Sequence, residues 1–175
     1  VIYPLISKIE EFKDKVKSAE FYNKAVWLYD GKVIFCDSGD ESSSITDLGR
    51  PFAKEEDQIE VECIDISSWI KNNFMKEDYI VFKLDIEGGE YDVIKKMYED
   101  DTIDYIDRFY CEIHGIKCHR NFNESMALLN MVEEKGKTLY TWAAKSYGTR
   151  EDVAYSENIM RSEYIKWHHN DIGCA

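Results

Sequence analysis

The chain has 175 residues, 44% of them apolar and 14% aromatic, and a formal net charge of −13. That length suits one domain with a filled core, so residues 1–175 are expected to form a single domain. The acidic balance argues against a nucleic-acid binder, which needs a basic face for phosphates, and no apolar run reaches the roughly 18 residues of a membrane span.

The chain starts at Val1, inside a strand-like VIY run and without an initiator Met. It is therefore expected to be a piece of a longer chain. Its five cysteines (Cys36, Cys63, Cys111, Cys118, Cys174) form no C-x-x-C pair. An odd number in a domain of this size does not suggest a disulfide scaffold. Cys36, Cys63 and Cys111 sit in apolar runs, where a thiol behaves as a small core residue. A reducing, cytoplasmic setting fits best.

After VIY and Pro4, ISKIEEFKDKV sets Ile6, Ile9, Phe12 and Val16 on one helical stripe. KAVWLYDGKVIFCDS then places two β-rich runs around Asp30-Gly31, the signal of a tight hairpin. DSGDESSSITDLG reads as a loop, either a lid or a solvated connection. IEVECI is a short strand. DISSWIKNNF is a short helix with Asp65, Ser67 and Ser68 as N-cap candidates. DYIVFKLDI is nearly continuous in apolar residues, as in a strand covered on both faces. EYDVIKKMYEDD is a helix that turns Val93, Ile94 and Met97 inward. IDYIDRFYCEIHG is a strand with a polar end. NESMALLNMVEEKGK is an amphipathic helix closed by Gly136, and KTLYTWAA is a strand. Beyond Lys145 the pattern is hard to read, and EYIKWHH suits either a strand or a docking helix. Alternating helices and strands predict an α/β fold: a Rossmann-like, mostly parallel sheet flanked by helices, lacking its first strand within this chain.

In open α/β sheets, ligands bind beyond the carboxyl ends of strands. Asp85 and Glu87 leave one such end, in KLDIEGGEYDVI, and Glu112 and His114 leave another, in CEIHG. If the two strands are neighbours, these acids and the imidazole converge on one crevice. Gly88 and Gly89 permit a sharp turn and a close approach. Glu90 then falls in the first helical turn, where the helix dipole favours a carboxylate, and is assigned to the helix start. Asp85 has a capping role as its plain alternative, Glu112 a salt bridge to Lys83, and His114 either supports the acids or is a loop histidine. His119, His168 and His169 show no metal spacing.

KLDIEGGEYDVI followed by RFYCEIHG resembles the FkbM-type methyltransferases, whose hallmark is Lys-x-Asp-x-Glu-Gly-x-Glu at one strand end and Glu-x-His at a later one. PLISKIEEF, NKAVWLYDGKVIFCDSG and VECIDISSWI are similar to other family segments in order, and the resemblance spans about residues 1–142. It implies a Rossmann-like fold and transfer of a methyl group from S-adenosylmethionine to a hydroxyl of a sugar, a glycan or a related small molecule. By analogy with a related group of sugar O-methyltransferases, it implies Asp85 and Glu112 as ligands of Mg²⁺ and Glu87 as the base, with His114 beside them. By analogy with other strand-end cofactor sites, Asn23 and Ala25 are expected along the adenine edge of the cofactor, with Ser44 of the acidic loop and Asp85 as further expected cofactor contacts. Two features depart from the pattern. The glycine-rich first loop has no counterpart and is expected upstream of Val1, and Tyr3-Pro4-Leu5 stands where acid-Pro-Leu is expected. A non-catalytic α/β module of a larger glycan-building protein, with an acidic sugar or metal site, is the main alternative. A metal-dependent hydrolase using the same acids is a third.

Overall fold

A computed structural model describes residues 20, 22–36, 44–45, 58–115, 120–143 and 146–148. The expected VIY strand, the helix through Ile6 and Val16, the segment EYIKWHH, and Cys118, Cys174, His119, His168 and His169 lie outside these residues.

Among the described residues, two four-stranded sheets carry the fold. The first holds β1 (Ala25–Trp27), β2 (Gly31–Cys36), β3 (Ser44–Ile45) and β4 (Gln58–Asp65) in the order β1-β4-β2-β3. Only the β1–β4 pair is parallel; β2 runs antiparallel to both β4 and β3. The expected Asp30-Gly31 hairpin is therefore not what forms. The chain turns there, but β4 inserts between the two runs, with Trp27 opposite Asp65 on one side and Gly31 opposite Cys63 on the other. The turn crosses the end of β4 and is tied to it by the Asp65 N–H donating to Asp30 Oδ1 at 3.2 Å. Local turn chemistry is thus satisfied without strand pairing across the turn. Ser44 and Ile45, expected in a loop, form a short edge strand instead.

β4 leads into α1 (Ile66–Asn73), capped by Asp65, which accepts from the Ser68 N–H and hydroxyl at 3.1 and 2.9 Å. The second sheet follows: β5 (Val81–Leu84), α2 (Glu90–Glu99), a 3₁₀ turn (Thr102–Tyr105), β6 (Arg108–Cys111), α3 (Phe122–Glu134), β7 (Leu139–Ala143) and β8 (Ser146–Gly148). β5, β6 and β7 are parallel neighbours in that order, and β8 closes the edge antiparallel to β7. The mostly parallel sheet is thus realised in this half, whereas the first sheet is mostly antiparallel. The stretch from Ile103, expected to be strand, begins as a 3₁₀ turn. Asp101 ends the helical region in the left-handed conformation at φ 56°, and the Thr102 hydroxyl is buried against Ser67 at 3.0 Å.

Crossovers between successive parallel strands are right-handed as a rule, which puts both connecting helices on one face. Val93, Ile94 and Met97 of α2 and Leu128, Leu129 and Val132 of α3 pack in one core with Leu84, Phe109, Cys111 and Leu139. Residues of the first sheet, including Ala25, Trp27, Val33 and Cys63, belong to the same core. Cys36, Cys63 and Cys111 are buried free thiols, as the apolar runs around them predict. The other face of the second sheet is not covered in the way the apolar run DYIVFKLDI suggests: Val81 is 60% exposed, Lys83 and Arg108 are exposed, and Tyr110 and Tyr140 are half-buried. Leu84, the one buried position of β5, lies on the helix-bearing face.

Helix α3 starts with a capping box. Asn121 accepts from the Glu124 N–H at 3.1 Å, and Glu124 accepts from the Asn121 N–H at 2.7 Å. Gly136 follows its last turn at φ 71°, the left-handed position that ends helices and that glycine reaches without strain. Asn121→Ala is expected to cost about 1 kcal/mol of stability, seen in thermal melts as a fall in Tm of about 2–4 °C.

Candidate functional site

The register of β5 and β6 builds the site. Leu84 lies opposite Cys111, and the Glu112 N–H donates to the Leu84 carbonyl at 3.0 Å. The polar residues after each strand therefore emerge side by side at the carboxyl end of the parallel sheet, where such sheets bind ligands.

The turn from β5 to α2 is tight. Glu87 adopts the left-handed conformation at φ 57° and Gly88 follows at φ 112°. A side chain at position 88 would be strained by that angle, and a Cβ at position 89 would fall 2.8 Å from Ile86 Cδ1 and 3.4 Å from the Trp27 ring. The pair Gly88-Gly89 thus serves both roles that the sequence suggests: an uncommon backbone angle and a close approach.

Around this turn the side chains converge. His114 is buried, with its Nδ1 3.0 Å from Glu90 Oε1, its Nε2 3.2 Å from Glu87 Oε1 and the same Nε2 3.8 Å from Glu112 Oε1. Asp85 pairs with Lys83 Nζ at 2.8 Å. Burial alone would discharge the His114 ring, but the hydrogen bonds to Glu87 and Glu90, and then their charges, outweigh it and push its pKa from 6.5 up to about 10. The ring is an imidazolium at neutral pH, held between two carboxylates. The same acids reach Cys111: burial first, then the charges of Glu90, Asp85 and Glu112, push its thiol well above its ordinary range.

The fold brings Asp85, Glu87, Glu112 and His114 to one place. Asn23, Ala25 and Ser44 belong to the first sheet. Asn23 is exposed just before β1, Ala25 opens that strand, and Ser44 is buried in β3 with no hydrogen-bond partner for its hydroxyl among the described residues. Beside Gly89 stands Trp27, at the other end of β1 from the residues singled out in the sequence.

Glu90 is the member that its helix-start assignment misses. It is 0% exposed and accepts from the Ile86 N–H (2.9 Å), the Gly88 N–H (2.9 Å) and His114 Nδ1. A signal for it exists in the sequence: positions 90, 93, 94 and 97 share one helical stripe, so a helix that buries Val93, Ile94 and Met97 also buries Glu90. A carboxylate on an apolar stripe needs a partner.

Asp85, Glu87 and His114 each offer one ligand atom, all within 4.8 Å of one another, as a metal ion would require. Two carboxylates and an imidazole form a mixed donor set that suits manganese or iron better than the all-oxygen shell of Mg²⁺. His114 joins such a shell only by giving up its Nε2 proton.

These features define an α/β domain with an acidic site at the carboxyl ends of neighbouring parallel strands. The family model described as the methyltransferase FkbM domain matches residues 11–139, most of the chain, and the chain belongs to that family. No curated protein and no solved structure matches it. Among the described residues, no helix is long and apolar enough to cross a membrane.

The His114 pKa carries a stability signature. Because it is raised on folding, its contribution is fully present below pH 6.5 and is lost as pH rises through about 10. Urea unfolding from pH 7 to 10 should show stability falling by up to about 1.4 kcal/mol per pH unit in that window. His114→Gln should flatten the slope; an equally steep variant profile would contradict the imidazolium assignment.

Proposed function

We propose that this methyltransferase-family domain transfers a methyl group from S-adenosylmethionine to a hydroxyl of a sugar, a glycan or a related small molecule. The observation that carries the reading is the grouping of Asp85, Glu87, Glu112 and His114 at two adjoining strand ends in a chain of this family. A sulfonium cofactor is positively charged, and an acidic crevice suits it. Asn23, Ala25 and Ser44 remain assigned to the cofactor by analogy alone.

The chemistry asked of the protein is limited. S-adenosylmethionine, when bound, supplies the activated methyl group. An alcohol is a weak nucleophile until its proton is removed, and a carboxylate within hydrogen-bond reach performs that step. Glu87 is the base in this reading. The hydrogen bond from His114 Nε2 to Glu87 Oε1 fixes the rotamer of the carboxylate, and the left-handed backbone at residue 87 projects it from the turn. Asp85 orients the hydroxyl. A divalent ion, where held, would be bound by Asp85, Glu87 and His114, with Glu112 at the edge of the shell, and would lower the pKa of a hydroxyl coordinated to it.

Calorimetric titration with S-adenosylhomocysteine is expected to show binding, and radiolabelled S-adenosylmethionine is expected to label sugar acceptors. Glu87→Gln should lower methyl transfer by about 100-fold or more without loss of cofactor binding. Wild-type turnover in that variant would remove Glu87 from the mechanism. Treatment with EDTA separates two modes: lost activity that Mn²⁺ restores assigns Asp85 to a metal ion, and retained activity assigns it to the hydroxyl itself.

A further inference from the structure

The two N–H groups that Glu90 binds belong to Ile86 and Gly88, the residues on either side of Glu87. Its third partner, His114 Nδ1, belongs to a ring whose Nε2 meets Glu87 Oε1. The contacts close a circuit. Glu90 holds the backbone around Glu87 from one side, and through His114 it holds the Glu87 carboxylate from the other. Glu87 needs such support, because a non-glycine residue at φ 57° is uncommon and persists only where its surroundings impose it. Glu90 itself is fully buried, so its charge is tolerable only with these partners. A carboxylate has no proton to donate, so the ring nitrogen facing it carries one. That fixes His114 with Nδ1 protonated and turns Nε2 toward Glu87, as a second carboxylate does for many functional histidines.

We propose that Glu90 is the positioning residue of the site, setting the Glu87 backbone and, through the Nδ1 proton of His114, the Glu87 carboxylate. The catalytic part of this inference rests on the reading of Glu87 as the base; the positioning itself does not.

The test uses ¹⁵N-labelled protein freed of metal with EDTA. In the wild type, the His114 ring should show a protonated Nδ1 with slow solvent exchange, and the Ile86 and Gly88 amides should be protected. A bare Nδ1 would overturn the proposal, and that measurement needs no variant. Glu90→Gln keeps the size of the side chain and removes the charge. It should shift both ring nitrogens of His114 and speed exchange at the Ile86 or Gly88 amide, while resonances of β7 and α3 stay in place. It should also lower kcat about 10–100-fold with KM for S-adenosylmethionine unchanged. An unchanged His114 ring in Glu90→Gln would overturn the proposal. Should the wild type show no methyl transfer while the ring and amide signatures appear, the function fails and the positioning role stands.

Discussion

The parallel pairing of β5 with β6 is the constraint on which the site depends. With Leu84 set against Cys111, the ladder ends at the same level on both strands, and the chain leaves each through polar residues. One departure enters the Asp85–Gly89 turn and the other enters Glu112–Gly115. A one-residue slip would send these side chains to opposite faces. Buried contacts on one side of each strand hold the register: Leu84 and Cys111 both lie in the core beneath α2 and α3. Hydrophobic packing, which has no chemistry of its own, thus determines where the carboxylates meet.

Within that frame the electrostatics are unusual for a domain interior. Glu90 is wholly buried, His114 nearly so, and Glu87 is 9% exposed. Such burial is costly for each charge taken alone. Two carboxylates around one imidazolium, with backbone N–H groups on Glu90, offset much of that cost. The arrangement also braces the turn at Glu87, a residue with an uncommon backbone angle. On the proposed reading of Glu87 as the base, its carboxylate needs a fixed direction more than it needs mobility, and the contacts from His114 and Glu90 supply one.

Local features were largely legible in the residues. The stripe of Val93, Ile94 and Met97, the capping role of Asp65, the glycine after α3 and the buried cysteines all follow from periodicity and side-chain chemistry within a few positions. The Asp30-Gly31 hairpin shows where such reasoning stops. Its turn residues are right, yet β4 lies between the flanking runs because strand pairing is decided by distant segments competing for the same edges. β5 teaches the same lesson. Its apolar run suits a strand covered on both faces, but both crossover helices lie on one side, and Val81 on the other is left exposed.

The sequence by itself determined the alternation of helices and strands from Asp65 to Ala143, the acidic strand ends and the family, because these depend on residue types at short spacings. It also carried Asp85, Glu87, Glu112 and His114 as candidates. Only the tertiary structure decided that the two ends are neighbours, that His114 stands between Glu87 and Glu90, and that Glu90, a helix-start acid, is wholly buried against the Ile86 and Gly88 N–H groups and His114. Those facts depend on contacts between residues 24 positions apart along the chain, such as Glu90 and His114. No local pattern encodes them, since they arise when the sheet brings one strand end beside another.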